Sequence, residues 1–268
     1  MNSNMIFHQL KRDLKVFLVV TLALAFFYAV TMLLYTAMKD SILGVTDLYS
    51  NISPAIQDAL NFKDGQWNHV LGFYSTYFVY YIPLMGGAYS IYLGVSILSR
   101  EEQDKTAEFL LSKPVGRAEV LSSRIAVMKT YIFLMNLVIW VNGVIWTGFI
   151  GGFEDTFSQV TILHIYGLFI CMFFGFLGLL ISVIMKRARA IIGTAVGIVM
   201  GLYMLDMILR ITDKVPFLLY LTPFKYMNIN LLDTDYQLEI WRLAVLTGSV
   251  LLMAGLSFLF YRRKDILV

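Results

Sequence analysis

The residue types that most often carry chemistry are few in this chain and widely separated. The sequence contains three histidines and a single cysteine, at His8, His69, His164 and Cys171. No group of them has the spacing of a metal site or of a nucleophile with its base, and the patterns H-E-x-x-H and G-x-S-x-G do not occur. A lone histidine in an apolar stretch more often packs through a hydrogen bond than catalyses a reaction. We therefore expect that the chain is not an enzyme by itself, and that it binds no metal, cofactor or nucleic acid.

The sequence also lacks the pattern G-x-x-x-x-G-K-[ST], whose backbone amides cradle the phosphates of a nucleotide. If this chain moves a solute against a gradient at the expense of ATP, another polypeptide must hydrolyse the nucleotide.

The composition excludes a soluble domain. Of the 268 residues, 59% are hydrophobic and only 15% are charged, and the mean hydropathy is +0.72. Soluble domains carry charge on about a quarter of their residues. An α-helix needs about 20 apolar residues to cross a bilayer, and the apolar runs predict an all-α integral membrane protein, a single domain over residues 1–268. The expected spans are residues 16–38, 71–99, 130–153, 161–185, 190–209 and 243–261.

The distribution of basic residues predicts the orientation of these spans. The segments on one side carry fourteen lysines and arginines, and those on the other side carry six. Cytoplasmic segments of membrane proteins hold the excess of basic residues. The richer side is therefore expected in the cytoplasm, and the even number of spans places both termini there.

Two apolar segments lie outside the expected spans. Residues 2–15 place Ile6, Leu10 and Leu14 on one helical face, which predicts a helix lying in the cytoplasmic interface before the first span; the alternative is a frayed terminus. Within the outer segment 211–240, residues 215–226 are apolar but too short and too proline-broken to span. We expect this stretch to enter the outer leaflet or to cover the bundle as a re-entrant piece.

Residues 99–124, between the second and third spans, predict a helical hairpin in the cytosol. Glu101 and Glu102 occupy the first turn of its first helix, and Pro114 ends that helix. Leu110 and Leu111 give its tip an apolar surface that needs a cover. Either a groove on a partner protein or the lipid headgroups provide that cover.

The same stretch resembles the permease subunits of type-2 ABC exporters. It reads Glu102-x-x-Lys105-Thr106-x-Glu108-x-Leu110-Leu111-Ser112-x-Pro114-Val115-x-Arg117. Lys105 and Gly116 depart from the family pattern, which has Gly and Ser at these places, but neither change removes the apolar tip or the proline. The order of spans and of the terminal segments is similar too, so that the resemblance covers the whole chain.

The resemblance implies the partners of the chain and the role of the hairpin. In that family the hairpin is the coupling helix on which a separate ATPase docks, and the positions expected to make this contact are Glu101, Thr106, Glu108, Leu110, Leu111, Pro114 and Arg117. Two ATPase copies, which hold the ATP and Mg, and a second permease copy, here expected as a homodimer, complete the transporter in a bacterial plasma membrane. Small members export drugs, antimicrobial peptides, lipid-linked glycans or amphipathic toxin peptides such as phenol-soluble modulins. This chain is expected to be of the phenol-soluble modulin or antimicrobial peptide exporter kind.

Within the expected spans, two features suggest helix contacts. Gly193, Gly197 and Gly201 form one smooth ridge on the fifth span, which lets two helix backbones approach closely. This ridge is either a subunit interface or a static contact inside one subunit. Asp206 and Arg210, one turn apart near the outer end of the same span, form either a structural clamp, which we favour, or a polar gate.

Other polar and aromatic residues suggest a substrate pathway. Tyr77 and Tyr81 share a face of the second span and offer rings and hydroxyls to an amphipathic substrate, although an interfacial aromatic belt explains them as well. Asn136 in the third span is expected to face protein or a cavity. Pro83 with its neighbouring glycines is expected to bend or loosen the second span.

These observations predict the membrane-spanning permease of an ATP-driven exporter, with a hydrophobic or amphipathic substrate such as a peptide toxin or drug. The alternative is an ion- or proton-coupled secondary transporter, which needs ionisable residues near the middle of the membrane. A structural membrane protein is a third possibility, but it has no use for the cytosolic hairpin.

Overall fold

The computed structural model describes residues 3–39, 53, 56–57, 66–103, 116–184, 188–212, 215–233 and 235–263. These residues form helices and connecting segments without a β-strand, and six of the helical stretches are long and apolar enough to cross a membrane. The predicted all-α membrane fold is confirmed.

The helices are numbered here in chain order. The second span is built from α2, a π-helix and α3 in direct succession, and two 3₁₀-helices lie between α6 and α7. Their bounds are α1 Ser3–Met38, a 3₁₀-helix Gln66–Asn68, α2 Val70–Val79, the π-helix Tyr80–Gly86, α3 Gly87–Gln103, α4 Arg117–Gly151, α5 Phe153–Ile184, α6 Ala188–Thr212, 3₁₀-helices Pro216–Leu221 and Pro223–Tyr226, and α7 Ile240–Arg263.

The first helix differs from the prediction. Residues 3–15 do not form a separate interfacial helix that turns before the first span, because α1 is continuous from Ser3 to Met38. No glycine or proline interrupts this stretch, so nothing in the sequence breaks the backbone ladder. Leu10 packs against the core of the bundle, and its carbonyl accepts a hydrogen bond from the hydroxyl of Tyr131. The prediction of a turn before the first span is therefore wrong.

A tight turn joins the third and fourth spans. The helix α4 ends at Gly151 and α5 begins at Phe153, and Gly152 between them has a φ of +91°. This backbone conformation is one that residues with a Cβ rarely adopt. The single glycine therefore reverses the chain and sets α4 and α5 side by side.

The most extensive helix packing joins α3 to α5, and glycines make it possible. A Cβ atom placed on Gly94 would overlap the carbonyl oxygen of Gly175, and one on Gly178 would overlap that of Ile91. A Cβ on Gly87 would lie 2.9 Å from the ring of Phe174. The two backbones thus touch directly, which is how helices associate in a bilayer.

The segment after α6 covers one end of the bundle. Its 3₁₀-helices are too short to span, and Phe224, on the second of them, is buried against Phe174 and Tyr203, with ring centroids 5.8 Å and 5.5 Å away. The predicted irregular cover is present, and its depth in the membrane stays a prediction.

Replacing Gly94 or Gly178 by alanine is expected to destabilise the protein by about 1–3 kcal/mol or more, because the added methyl meets backbone that has nowhere to move. Gly255→Ala, on α7, is the matched control, since a Cβ there has no neighbour within 4 Å. Thermal unfolding of the purified variants in one detergent measures the difference. Equal melting temperatures for all three variants would contradict the packing described here.

Candidate functional site

The predicted docking hairpin lies mostly outside the described residues. The structure does not describe five of its expected contact residues, namely Thr106, Glu108, Leu110, Leu111 and Pro114. Glu101 belongs to α3 and Arg117 is the first residue of α4, but the structure does not describe their side chains. The described backbone supplies the two helices on either side of the hairpin tip, and the docking role stays a prediction.

A buried polar cluster joins three helices near the base of this hairpin. Gln9 Nε2 donates to Asp13 Oδ2 over 3.2 Å, and Arg12 Nε lies 3.7 Å from Asp13 Oδ1. Arg124, two turns into α4, is 5% exposed and lies near Arg12 and Asp13 of α1 and near Tyr261 at the end of α7. The start of α1, the start of α4 and the end of α7 therefore lie on the same side of the bundle.

The sequence analysis did not identify this cluster, although a signal for it was present. Asp13 is on the same helical face as Leu10 and Phe17, and an acid on an otherwise apolar face needs a partner inside the protein. Because a buried charge without a partner costs several kcal/mol, we expect the cluster to fix the start of α1 relative to the start of α4.

The helix of the second span is irregular around Pro83 and its neighbouring glycines, where the sequence predicts a bend or a loosened helix. Tyr80–Gly86 form a π-helix with Pro83 inside it. Proline has no N–H, so the regular ladder of hydrogen bonds fails at this position. Part of the local backbone is satisfied by side chains instead, since Ser90 Oγ donates to the carbonyl of Gly86 over 2.7 Å and Cys171 Sγ lies 3.9 Å from that of Ile82. Such bulges in a helix frequently mark functional places.

The three predicted pathway residues do not line one cavity. Tyr81 lies between the second span and α1, where its hydroxyl is 2.8 Å from Thr31 Oγ1, and Tyr77 packs on Trp67. Asn136 is 4% exposed on α4 and donates to the carbonyl of Ile132 over 2.9 Å. Asn136 borders a groove between α4 and α5, on which neither tyrosine lies. Their role in transport stays a prediction.

His164 is a packing residue, as expected of a lone histidine in a span. Its Nε2 shares a 2.7 Å hydrogen bond with the hydroxyl of Tyr74, and both side chains are buried. Gly143 leaves room for this pair, because a Cβ there would overlap the Tyr74 hydroxyl. The fully buried hydroxyl of the neighbouring Tyr28 has no hydrogen-bond partner among the described residues. The core of the bundle is thus polar as well as aromatic at this level.

An apolar groove of about 490 Å³ runs between α1, the second span and α6. Among the residues that line it are Val19, Met85, Tyr89, Tyr92, Val196 and Met200. These side chains offer methyl groups, flexible thioethers and aromatic rings, which suit an alkyl chain or a ring system better than an ion. The sequence analysis did not identify this groove. The only sequence signal for it is the spacing of Met85, Tyr89 and Tyr92, which places them on one helical face.

The glycine ridge of α6 is open in the single chain. Gly193, Gly197 and Gly201 are exposed, and a Cβ on any of them would have no neighbour within 4 Å. Static packing against the described part of this subunit is therefore excluded as the reason for the ridge. The ridge shares its helical face with Val196 and Met200, so it lies beside the groove.

Asp206 ties α6 to the segment that covers the bundle. Arg210 Nε donates to Asp206 Oδ2 over 2.6 Å, and the hydroxyl of Thr222 donates to Oδ1 over 2.6 Å. Asp206 is 3% exposed, so both of its oxygens are satisfied out of water. This geometry is that of the clamp proposed from the sequence, extended by Thr222, which the sequence analysis did not identify.

A second polar contact holds the start of α7. Glu239 accepts hydrogen bonds from Arg242 and Trp241, each over 2.8 Å, and its backbone N–H donates to the Tyr166 hydroxyl over 2.8 Å. Partial burial raises the pKa of Glu239, but the hydrogen bonds from Arg242 and Trp241 outweigh this effect and hold the pKa below its ordinary value. The carboxylate therefore stabilises this junction at neutral pH, and its contribution is lost as the pH falls through the lowered pKa.

Six helices that are long and apolar enough to cross a membrane, with a groove among them, define a multi-pass membrane protein. Comparison with protein families agrees with this class. Residues 9–266 match the model of the ABC-2 family transporter protein, and the chain belongs to this family. A search among curated proteins finds no match. The chain is thus a membrane permease of an ABC transporter, a type of subunit that works with an ATPase.

Thr222→Val is expected to destabilise the protein by about 1.5–3 kcal/mol, because the buried carboxylate of Asp206 loses a hydrogen bond that nothing replaces. Thr222→Ser keeps the hydroxyl and serves as the control. Thermal unfolding in detergent, with the rate of proteolysis at Lys225 as a second readout, measures the effect. A wild-type melting temperature and cleavage rate for Thr222→Val would show that the clamp contributes nothing.

Proposed function

We propose that this permease is the membrane-spanning half of a bacterial ABC exporter for hydrophobic or amphipathic substrates, such as a peptide toxin or drug. The main observation that supports this proposal is the apolar groove. The family match over residues 9–266 supports the class of transporter. A substrate that partitions into the bilayer can enter a groove lined by Met85 and Met200, both of which are partly exposed. The phenol-soluble modulin and antimicrobial peptide exporters handle substrates of this chemistry.

The orientation in the plasma membrane follows from charge. The side of the bundle that holds both chain ends and the hairpin is the side that carries fourteen of the basic residues. This side faces the cytoplasm, where ATP is available. The segment that Asp206 clamps then lies outside.

Two copies of the chain form the transporter through the open face of α6. Glycines at 193, 197 and 201 remove side chains from the contact, so that two α6 helices approach closely. The groove borders this face, and pairing of two copies places both grooves beside the interface. The substrate then moves between the two subunits.

One ATPase docks on the hairpin of each permease, and the ATPases bind ATP and Mg. Leu110 and Leu111 supply the apolar contact, and Glu101, Thr106, Glu108, Pro114 and Arg117 shape and flank it. Movement of the hairpin reaches the groove by two routes. One is α3, which continues into the π-helix, and the other is α4, whose Arg124 is held in the buried cluster with Asp13.

Leu110→Asp is expected to abolish docking, because it places a charge in an apolar contact. Co-expression of the permease with its ATPase, followed by purification through a tag on the permease, measures the captured ATPase. ATP-dependent accumulation of a fluorescent amphipathic peptide in inverted membrane vesicles measures export. Both signals are expected to fall at least about tenfold in Leu110→Asp, and Leu110→Ile is expected to keep them.

Two results would contradict this function. Peptide accumulation that persists without ATP and follows a proton or sodium gradient would identify a secondary transporter. Full ATPase capture by Leu110→Asp would show that the hairpin is not the docking element.

A cysteine at Gly197 is expected to cross-link two copies of the chain, because the two α6 ridges lie against each other. The native Cys171 is fully buried and leaves the background low. Leu251→Cys, on an exposed face of α7, is the matched control and is expected to stay monomeric. Oxidation in membranes followed by non-reducing electrophoresis gives the result. Dimers from Leu251→Cys but not from Gly197→Cys would place the interface elsewhere.

A further inference from the structure

A second cavity, of about 350 Å³, lies at the end of the bundle opposite the docking hairpin. Three elements meet around it, namely the end of α1, the start of α2, and the turn from α4 into α5. Side chains of all three line it, among them Tyr35, Lys39, His69, Val70, Ile150 and Asp155. We call this cavity the outer pocket. Unlike the transport groove, it combines charged and apolar walls.

The charged side chains of the outer pocket have no partners within the described part of the chain. Lys39 follows α1, His69 precedes α2, and Asp155 lies in the first turn of α5. No side-chain hydrogen bond or ion pair joins any of the three to another described residue. A cation and an anion thus face one cavity from different helices while each stays available to a ligand.

The position of the pocket adds a second constraint. Four membrane-spanning stretches begin or end around it, and span ends lie near the lipid headgroups. Its lining combines Lys39 and Asp155 with the apolar side chains of Val70, Leu71 and Ile150. A ligand that fits both parts carries a charged head above a hydrocarbon tail. That this end faces outward rests on the proposed function, since the charge distribution that orients the exporter also places the pocket.

The charges narrow the choice of headgroup. A phosphate suits Lys39, and an ammonium group that carries hydrogens suits Asp155, because charge-assisted hydrogen bonds are the strong ones. An anionic headgroup without an ammonium group leaves Asp155 opposed to a second negative charge. A quaternary ammonium group has no N–H to donate. The pocket therefore discriminates among lipids that share the same tails.

We propose that the outer pocket binds a phospholipid whose headgroup is a zwitterion with a primary ammonium group, as in phosphatidylethanolamine. The phosphate lies against Lys39 and His69, the ammonium group against Asp155, and the first part of the acyl chains against Val70 and Ile150. Free phosphoethanolamine shares the head chemistry but lacks the tails.

Native mass spectrometry of the full-length permease tests this site. The delipidated protein receives, in equal amounts, phosphatidylethanolamine, phosphatidylcholine and phosphatidylglycerol with identical acyl chains. The expected result is at least about tenfold preferential retention of phosphatidylethanolamine by the wild type. Excess soluble phosphoethanolamine is expected to displace little of it, because the tails contribute to binding.

Matched variants locate the binding. Lys39→Gln and Asp155→Asn are each expected to reduce the preference about threefold, and the double variant is expected to abolish it. Glu154→Gln removes the neighbouring acid on the same helical turn, and Lys225→Gln removes a lysine from the covering segment; neither residue lines the pocket, and neither variant is expected to change retention. Melting temperatures of all variants report whether they are folded.

Two outcomes would overturn the site. One is equal retention of the three lipids by the wild type, and the other is the same loss of preference in Glu154→Gln as in Asp155→Asn. Displacement by soluble phosphoethanolamine alone would show that the ligand is a free zwitterion rather than a lipid. None of these readouts involves the ATPase, so failure of the lipid site leaves the docking result intact, and failure of docking leaves lipid retention measurable.

Discussion

Direct contact between the backbones of α3 and α5 is the constraint on which the rest of the bundle depends. Burial of apolar side chains gives helices little reason to associate in lipid, so close van der Waals packing must hold them. Gly94 and Gly178 permit this contact because neither carries a side chain. Since the π-helix precedes α3, the same contact positions one wall of the apolar groove and the helix that leads to the predicted docking hairpin.

Much of the fold could be predicted from the sequence, because a bilayer imposes a length and a composition that hydropathy records directly. The boundaries of the helices could not. A hydropathy window stops at the first charges, whereas a helix stops where its backbone ladder breaks, and no residue breaks the ladder between Ser3 and Met38. The helices therefore continue into polar sequence, where Asp13 and Arg124 are buried between them. A partner several helices away determines whether such a charge is inside, and one sequence does not show that partner.

The candidate site illustrates the same limit. Spacing identified the smooth ridge Gly193, Gly197 and Gly201, which has no close neighbour among the described residues. It missed Gly94 and Gly178, where the backbones of two helices touch. The spacing of residues shows which of them share a helical face. It does not show which other helix contacts that face. The pair Asp206 and Arg210 was predictable because both residues lie on one helix. Their third partner, Thr222, comes from a segment without a regular period and was not.

The one-residue turn at Gly152 has a consequence for how the protein is made. Because only this glycine separates α4 from α5, there is no hydrophilic loop between them that would let one helix insert into the membrane before the other. In the orientation that the charge distribution predicts, Glu154 and Asp155 cross the bilayer at the tip of a paired hairpin, and the apolar length of both helices favours their transfer together. We therefore expect the third and fourth spans to insert as a single unit during synthesis.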